Sequence, residues 1–332
     1  MKVFITGANG FIGSSLCRFL LAKGWEVHGL VRPTSDLHNL EGLPVHLYTG
    51  DLRDPASFTI PAGITHVIHS ASIVSDNANE STCRDNIYLL AVNLVAKLRA
   101  LPQPPQRLLY ISTALVLGYN GQGISEQRPG ESAMFLAYTR FKVKTEEFLK
   151  QQWQEHGLPV VILRPGDVYG PYDRISCAQM LRGCERKLPL IVGHGECRFG
   201  FCYIDNLCQA SLLALTRPGI EGRAYTVTNG ILPTWKEFFS GLQRRMHYRQ
   251  RLRVPAWVAY LVAAVLRTIY WIRPSSPPLI NYYRVRRITT ETTYDISQTV
   301  HDLGYQPDDR TELQFDEIVA WYLRERKSGY LT

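Results

Sequence analysis

Short apolar runs alternate with segments of helical spacing along the first two thirds of the chain. Residues 2–6 (KVFIT) are typical of a buried parallel strand, SSLCRFLLAKG follows with helical spacing, and WEVHGLVR is a second strand-like run. Further apolar runs occur in PVHLYTGD, HVIHSAS, RLLYISTA, PVVILRP and RAYTVTNG. Strands that alternate with helices predict an α/β fold, a doubly wound parallel sheet of the Rossmann type covered by helices on both faces.

The same pattern divides the chain into two parts. Residues 1–170, with one strand that returns near 222–228, are predicted to form the domain that carries the sheet. Residues 171–332 are predicted to form a smaller mixed α/β domain, which contains the apolar segment 254–272. The Pro-rich stretch RPSSPPL, at 273–279, is predicted to interrupt regular structure.

Composition narrows the class of protein. The chain has 332 residues, of which 45% are hydrophobic and 20% charged, as is usual for a globular protein with a substantial core. The N-terminus lacks the basic, apolar and small-residue regions of a signal peptide. None of the seven cysteines forms a CxxC pair, so neither a disulfide framework nor a metal site is predicted, and a reducing cytoplasm is the expected location.

A glycine-rich loop follows the first predicted strand, in TGANGFIG at residues 6–13. Gly7 would permit the tight turn, Gly10 the approach of a pyrophosphate and Gly13 the close packing of helix on sheet. Since the loop opens a helix within a strand–helix–strand unit, it predicts a dinucleotide site at the N-terminus of the helix. The loop residues predicted to contact the cofactor are Gly7, Asn9, Gly10, Phe11, Ile12 and Gly13.

The end of the second predicted strand indicates which dinucleotide binds. An acidic residue there would hold a ribose 2′-hydroxyl, whereas an arginine would accept a 2′-phosphate. This chain has Val31-Arg32 and no acid at that point. Arg32 therefore favours NADP(H), with NAD(H) as the alternative cofactor.

A tyrosine and a lysine are four residues apart in YTRFK, at 138–142, within a segment predicted to be helical. Positions i and i+4 lie on one face of a helix, so both heads can reach one substrate. An ordinary tyrosine pKa of about 10 is too high for a base near neutral pH, and a nearby ammonium group lowers it. Tyr138 is thus a candidate acid/base, and Lys142 a candidate partner that also reaches the nicotinamide ribose.

Five motifs occur in a fixed order: TGANGFIG, HSAS at 69–72, YISTA at 110–114, YTRFK and RPGDVYGP at 164–171. Together they resemble the extended short-chain dehydrogenase/reductase family over essentially the whole chain, and YIDN at 203–206 with TYDISQTVHDLGYQP at 293–307 resembles its 3β-hydroxysteroid dehydrogenase branch. The resemblance implies an NAD(P)-dependent enzyme acting on CH–OH or C=O groups. In it Tyr138 would be the general acid/base, Lys142 its partner, and Thr113 the hydroxyl that bonds the substrate oxygen.

The resemblance also assigns cofactor contacts by position. Asp51 and Leu52 would lie beside the adenine, and the loop after HVIH would lie under the cofactor. The segment after PVVILR would lie near the nicotinamide. Besides the glycine loop and Arg32, the implied contacts are Asp51, Leu52, Ser70, Ala71, Ser72, Ser112, Tyr138, Lys142, Pro165, Gly166 and Val168.

The expected substrate is a hydrophobic alcohol or ketone, sterol-like or lipidic. Nucleotide-sugar enzymes of the family usually carry Arg-Asp-Phe where this chain has Phe199-Gly200-Phe201, with Arg198 one residue out of register. The missing charge partner for a diphosphate disfavours a nucleotide-sugar epimerase, dehydratase or reductase, which stays the first alternative. A non-catalytic NADP(H)-binding sensor is the second, although such proteins commonly lose the Tyr/Lys pair. The resemblance further implies a homodimer.

The net charge of +8 is concentrated in one stretch. Residues 244–287 contain ten arginines and no acid. They flank the apolar segment 254–272 on both sides, a pattern that favours a helix lying at an interface over one that crosses a membrane. Peripheral contact with an anionic membrane through 244–287 is one interpretation, and a buried helix with solvated arginines is the other. No nucleic-acid-binding signature accompanies the arginines, so no nucleic-acid partner is predicted.

Overall fold

The structure is a computed structural model that describes residues 1–186, 191–248, 253–272 and 280–331, with Trp271 described by its backbone alone. The predicted interruption at 273–279 lies outside the described residues. So do three of the ten arginines, Arg249, Arg251 and Arg273.

Strands and helices alternate through most of the described chain. The strands are β1 (Lys2–Thr6), β2 (Glu26–Val31), β3 (His46–Thr49), β4 (His66–His69), β5 (Arg107–Ile111), β6 (Gly121–Ile124), β7 (Val160–Pro165), β8 (Asp167–Tyr169), β9 (Phe201–Tyr203), β10 (Ala224–Val227) and β11 (Thr292–Tyr294). The helices are α1 (Phe11–Ala22), α2 (Glu80–Cys83), α3 (Leu89–Arg99), α4 (Ala137–His156), α5 (Ser176–Glu185), α6 (Ile204–Thr216), α7 (Trp235–Arg245), α8 (Ala256–Ile272), α9 (Tyr282–Thr289), α10 (Ser297–Leu303) and α11 (Thr311–Lys327). A π-helical turn, Arg84–Tyr88, joins α2 to α3.

Seven strands form one parallel sheet in the order β10-β7-β5-β4-β1-β2-β3. The order reverses between β1 and β4, so the loops that leave these two strands diverge and open a crevice at their carboxyl ends. This arrangement confirms the predicted doubly wound α/β fold. The strand expected to return near 222–228 is β10, which pairs with β7 at the edge of the sheet.

The central strands of the sheet are buried on both faces, and successive side chains of each strand point to opposite sides. Val3 and Ile5 of β1 pack in the cluster that includes apolar residues of α1 and α6. Phe4, between them, packs in the cluster that includes residues of α3 and α4. Since α6 packs against α1, residues 204–216 belong to the layer that covers the sheet, and the division at 170 stays a prediction.

The C-terminal part of the described chain pairs with the segments that follow β5 and β7. Two short sheets, β8 with β9 and β6 with β11, connect it to the first part. Helix α8 packs on α9 through Ala259 and Ala263, which bury against Val285. No helix among the described residues is long and apolar enough to cross a membrane.

Candidate active site

The glycine loop between β1 and α1 is shaped by close packing at two of its three glycines. Gly7 has φ +68°, and a Cβ there would lie 2.9 Å from the Cα of Ala71. A Cβ at Gly13 would lie 2.1 Å from the carbonyl oxygen of Gly7. Gly10 differs, since it is exposed and its Cβ would meet only the Gly7 oxygen, at 3.3 Å. The fold itself therefore requires Gly7 and Gly13, whereas Gly10 borders open space.

The first turn of α1 offers its backbone N–H groups to that space. Gly10 is the N-cap of the helix, and no side chain caps it. The first N–H groups of a helix have no partner within the helix, and they carry its positive dipole end. The loop thus has the shape and the donors that a dinucleotide pyrophosphate requires, with Asn9, Phe11 and Ile12 around it.

The loop after β4 closes the crevice from the next strand. The Ser70 hydroxyl donates to the carbonyl of Thr6 at 2.7 Å, and the Thr6 hydroxyl shares a hydrogen bond of 2.8 Å with His69. The Ser72 hydroxyl donates to the carbonyl of Ile73. These bonds fix the loop against β1 and place Ala71 directly over the glycine turn.

The ends of β2 and β3 bring two arginines to one carboxylate. Arg53 binds Asp51 through its Nε, at 3.0 and 3.1 Å from the two carboxylate oxygens. Arg53 lowers the pKa of Asp51, and the charge of Arg32, which is exposed at the end of β2, contributes to the same shift. Asn93 donates to the carbonyl of the buried Leu52 at 2.8 Å and so fixes this loop. Arg53 was not predicted, although it follows Asp51-Leu52 directly in TGDLRD.

Three predicted catalytic side chains come together at the carboxyl end of β5. Tyr138 is in the first turn of α4, and the Nζ of Lys142 lies 5.8 Å from the centre of its ring. The Lys142 ammonium also donates to the carbonyl of Ile111 at 2.9 Å, which fixes it under the end of β5. The Thr113 hydroxyl lies near enough to the Tyr138 phenol to lower its pKa.

Burial controls the protonation of this pair. Burial raises the pKa of Tyr138 above its ordinary value, and the Thr113 hydroxyl opposes the shift. Burial lowers the pKa of Lys142 to about 7, against the opposing effect of Glu146 one turn further along α4. At neutral pH the Tyr138 phenol therefore holds its proton, which is the state needed to protonate a forming alkoxide.

A buried ion pair between Arg164 and Glu146 lies next to the predicted catalytic residues. Arg164, at the end of β7, binds both carboxylate oxygens of Glu146 and also pairs with Glu126. The Ser112 hydroxyl donates to Glu146 at 2.5 Å. Because that hydroxyl is already bound, Thr113 is the hydroxyl that reaches Tyr138. The sequence interpretation missed Glu146 and Arg164, although the first is four residues after Lys142 and the second directly precedes Pro165.

The segment after β7 packs against β10 and the chain that precedes β9. Gly166 donates its N–H to the carbonyl of Val227, and a Cβ there would lie 2.0 Å from the carbonyl oxygen of Gly200. Pro165 is the last residue of β7, and Val168 is half-buried in β8. Gly166 is thus required for the close approach of this segment to the chain before β9.

Aromatic and aliphatic side chains surround the outer face of Tyr138. Its ring packs on a cluster that includes Leu115, Leu136 and Tyr283. Phe135 is exposed and lies edge-on to Tyr283, with ring centres 5.6 Å apart. The surroundings of the Tyr138 ring on this side are therefore largely apolar.

The described residues hold no group of three His, Cys, Asp or Glu side chains placed to bind a metal ion. The cysteines are free thiols, and six of the seven are buried. Burial raises the pKa of the Cys17 thiol to about 12 and shifts the other buried thiols in the same direction, so they are apolar packing residues at neutral pH.

Two curated relatives match nearly the whole chain. "Sterol demethylase protein B" of Methylococcus capsulatus is 30% identical over 354 residues, covering 98% of this chain and 99% of the relative. A "2-alkyl-3-oxoalkanoate reductase" of Shewanella oneidensis is 30% identical over 328 residues, covering 91% and 81%. 3-Beta-hydroxysteroid dehydrogenases of mycobacteria are also among the relatives.

Solved structures share the fold. The UDP-glucuronic acid 4-epimerase of Bacillus cereus in complex with NAD superimposes with a TM-score of 0.77 at 21% identity, covering 98% of each chain. A family model, the NAD dependent epimerase/dehydratase family, matches residues 3–228. The chain therefore belongs to the NAD-dependent epimerase/dehydratase family, the extended short-chain dehydrogenases/reductases, and is an NAD(P)-dependent enzyme of that type.

Proposed function

We propose that this protein is an NADP(H)-dependent oxidoreductase that interconverts a hydroxyl and a ketone on a hydrophobic, sterol-like or lipidic substrate. The observation that carries the proposal is the meeting of Tyr138, Lys142 and Thr113 at the carboxyl edge of the sheet that also holds the glycine loop. Together a phenol can donate the proton, a hydroxyl can orient the carbonyl oxygen and an ammonium group can hold the ribose during ketone reduction by a nicotinamide.

Each side chain has a separate task in the proposed reduction. Bound NADPH supplies the hydride that the carbonyl carbon receives. Thr113 orients the carbonyl oxygen, and Tyr138 transfers its phenolic proton to that oxygen as negative charge develops there. Lys142 binds the nicotinamide ribose and stabilises the phenolate that remains. Oxidation of the alcohol follows the same steps in reverse.

Two arginines support the preference for NADP(H). Arg32 and Arg53 lie with Asp51 at the ends of β2 and β3, where the adenosine ribose binds in this fold. A 2′-phosphate would find two guanidinium groups there, and no acid stands at the end of β2 to hold a 2′-hydroxyl. Initial rates with NADPH and NADH test the preference, and equal efficiency would refute it.

The setting of Tyr138 supports a hydrophobic substrate. Its outer face adjoins Phe135 and Tyr283, and Phe199 and Phe201 are buried in an aromatic cluster with Trp235. The names of the two relatives likewise refer to a sterol and to an alkyl-branched oxoalkanoate. A panel of sterol, long-chain keto and nucleotide-sugar substrates, with NADPH oxidation followed at its absorbance band, tests this directly.

The first alternative is an enzyme on nucleotide sugars. Arg198, the residue that could replace the missing charge partner, is exposed, while Phe199 and Phe201 are buried. A thermal shift with UDP or GDP would favour this alternative, and we expect none. The second alternative, a non-catalytic NADP(H) sensor, predicts cofactor binding without turnover on any member of the panel.

A surface stripe on α8 supports peripheral contact with a membrane. Trp257, Leu261, Val265 and Ile269 recur every four residues, and their exposed fractions are 70%, 56%, 49% and 53%. Among the described side chains of α8, only Ala259 and Ala263 are buried, which disfavours the alternative of a buried helix. Arg253 is exposed next to the start of the stripe, Arg267 is exposed on another side of α8, and no acid occurs between residues 244 and 290.

An apolar stripe with basic neighbours suits the surface of an anionic bilayer, which would also store a hydrophobic substrate. Flotation with vesicles that contain anionic lipid, at low salt, is expected to retain the wild type and to lose the variant Leu261→Gln/Val265→Gln. Failure of the wild type to float would end this proposal. A concentration-dependent dimer that the same variant dissociates would assign the stripe instead to the predicted homodimer.

A further inference from the structure

A second set of polar groups lies next to Tyr138, contributed by α9 and β8. Arg287 of α9 forms an ion pair with Asp167, the residue that follows Gly166. Its guanidinium stacks over the ring of Phe199 at 4.7 Å and lies 5.8 Å from the ring centre of Tyr283. Tyr283 packs in the same cluster as Tyr138, so the ion pair adjoins the proposed reaction centre.

Two hydrogen-bond donors in this set have no partner among the described residues. The Nε of Arg287 and the hydroxyl of Tyr283 are both buried and unbonded. Tyr283 is only 7% exposed, so water reaches its hydroxyl poorly. A buried donor without a partner is unfavourable, and two such donors on neighbouring side chains that adjoin the Tyr138 cluster indicate that a ligand oxygen completes them.

The proposed reaction does not use these donors. In the proposed function the carbonyl oxygen of the substrate is bound by Tyr138 and Thr113, so neither donor is needed there. The charges of Asp167 and Arg287 both act on the Tyr138 phenol, in opposite directions, which places the pair within electrostatic range of it. A substrate held by Tyr138 could therefore present a second oxygen to Arg287.

We propose that Arg287 and Tyr283 form a binding subsite for a second acceptor oxygen that the hydrophobic substrate carries near its reacting carbon. The inference rests on the proposed function and defines its substrate more closely, as an alcohol or ketone with a carboxylate or ester group beside it. The planar guanidinium offers several N–H groups in one plane, so it can serve Asp167 and a substrate oxygen together. Arg287 and Tyr283 thus determine specificity and take no part in proton transfer.

The simpler explanation is that the ion pair only ties α9 to β8. A purely structural pair predicts that its loss lowers stability and reduces activity on all substrates by the same factor. A subsite predicts a loss confined to substrates that carry the second oxygen. The ratio of kcat/KM between two substrates therefore separates the two explanations.

The experiment compares a 2-alkyl-3-hydroxyalkanoate, its methyl ester and a long-chain secondary alcohol that lacks the carboxyl group, with NADPH formation followed optically. Arg287→Gln is expected to lower kcat/KM for the acid or the ester at least about tenfold relative to the plain alcohol, the usual effect of a lost charge-assisted hydrogen bond. A loss with the acid alone would identify the second acceptor as a carboxylate oxygen, and a loss with the ester as well would identify it as a carbonyl oxygen.

Two further variants keep the result interpretable. Tyr283→Phe removes one hydroxyl and keeps the ring, so it tests the subsite even when Arg287→Gln folds poorly, and it is expected to lower the same ratio. Arg286→Gln is the matched control, since Arg286 is the adjacent residue and pairs with Glu131. It should leave the ratio unchanged.

The outcomes are distinct. Equal losses on all three substrates, or no change in the ratio for both Arg287→Gln and Tyr283→Phe, would overturn the subsite and leave the proposed function intact. If the wild type oxidises none of the three and reduces no ketone of the panel, the proposed function itself fails, and the subsite fails with it.

Discussion

The glycine loop and the arginine-rich stretch 244–287 are both conspicuous in the sequence, yet the structure uses them in different ways. The loop acts locally, because Gly7 and Gly13 are required by contacts with Ala71 and with each other. The arginines act at long range: Arg284 pairs with Asp76, Arg286 with Glu131 and Arg287 with Asp167. Arg244 and Arg245 likewise pair with acids of α11.

This difference shows that a charge excess within a stretch is not a charge excess on the surface. Five of the ten arginines between 244 and 287 find carboxylates elsewhere in the chain. Among the described residues, the arginine charge of this stretch that has no carboxylate partner is therefore that of Arg253, next to the start of the apolar stripe of α8, and of Arg267, on another side of the helix. The structural role of a backbone motif such as the glycine loop can be predicted from the local sequence. The role of a charged side chain can be predicted only when the fold shows which partner it meets.

Lys142 should give the largest effect, because it combines the local motif with burial that the whole fold provides. Lys142→Met is expected to lower kcat by roughly 10²- to 10⁴-fold, the range for loss of a group that assists proton transfer. Lys144→Met is the control, since Lys144 is exposed and packs over Tyr88 and Phe141, away from the ring of Tyr138. Equal activity of the two variants would contradict the role of Lys142.

The stabilities of the wild type and Lys142→Met should also differ in their dependence on pH. Burial lowers the pKa of Lys142 to about 7 in the folded state, against 10.5 in the unfolded chain. Between these values the unfolded state binds one proton more, so this residue makes the free energy of unfolding rise with pH, by at most about 1.4 kcal/mol per unit. Lys142→Met should therefore gain stability over the wild type most strongly at pH 7 or below, and the gain should disappear near pH 10.5. Urea unfolding of both proteins without cofactor measures it.

Substitutions in the glycine loop should separate an effect on cofactor binding from an effect on stability. Gly10→Ala, where φ is −71°, should change stability by no more than about 1 kcal/mol but weaken NADPH binding at least about tenfold, because its Cβ enters the space left for the pyrophosphate. Gly13→Ala should lower stability itself by about 1–3 kcal/mol through overpacking against Gly7. Thermal unfolding and fluorescence titration with NADPH distinguish them, and identical behaviour would refute the assignment.

A variant of Arg32 tests whether this exposed arginine binds the 2′-phosphate of NADPH. Arg32→Ala is expected to raise the KM for NADPH by about 10- to 100-fold and to leave the KM for NADH unchanged, since only NADPH carries the 2′-phosphate. NADH is the internal control. A parallel loss with both cofactors would indicate a structural role.

The smallest effect is expected among the long-range ion pairs. Arg284→Gln should cost about 1 kcal/mol, because Asp76 is largely buried while Arg284 is partly solvated and its pair is screened. Arg267→Gln, on the exposed side of α8, should change stability by less than about 0.5 kcal/mol. Chemical denaturation of both variants measures the difference, and equal losses would contradict the distinction between paired and exposed arginines.

The residue pattern predicted the sheet, the glycine loop and the grouping of Tyr138 with Lys142, since each depends on short-range periodicity or spacing. The role of Glu146 as the partner of Ser112 and Lys142 could not be predicted. Glu146 is held there by Arg164, and these two residues meet only when α4 packs on β7. Tyr283 and Arg287 were missed for the same reason, whereas Arg53 is only two residues from Asp51 and its pairing could have been predicted from TGDLRD. The position of α8 was left open, since an apolar stretch alone does not reveal which face is covered.

The most direct measurement is a single-turnover reduction of the best ketone of the panel by Tyr138→Phe with bound NADPH. The variant retains the ring and its packing and loses only the hydroxyl, so NADPH should bind within about threefold of the wild type while the rate falls at least about 10³-fold. A rate within tenfold of the wild type would show that the phenol is not the proton donor.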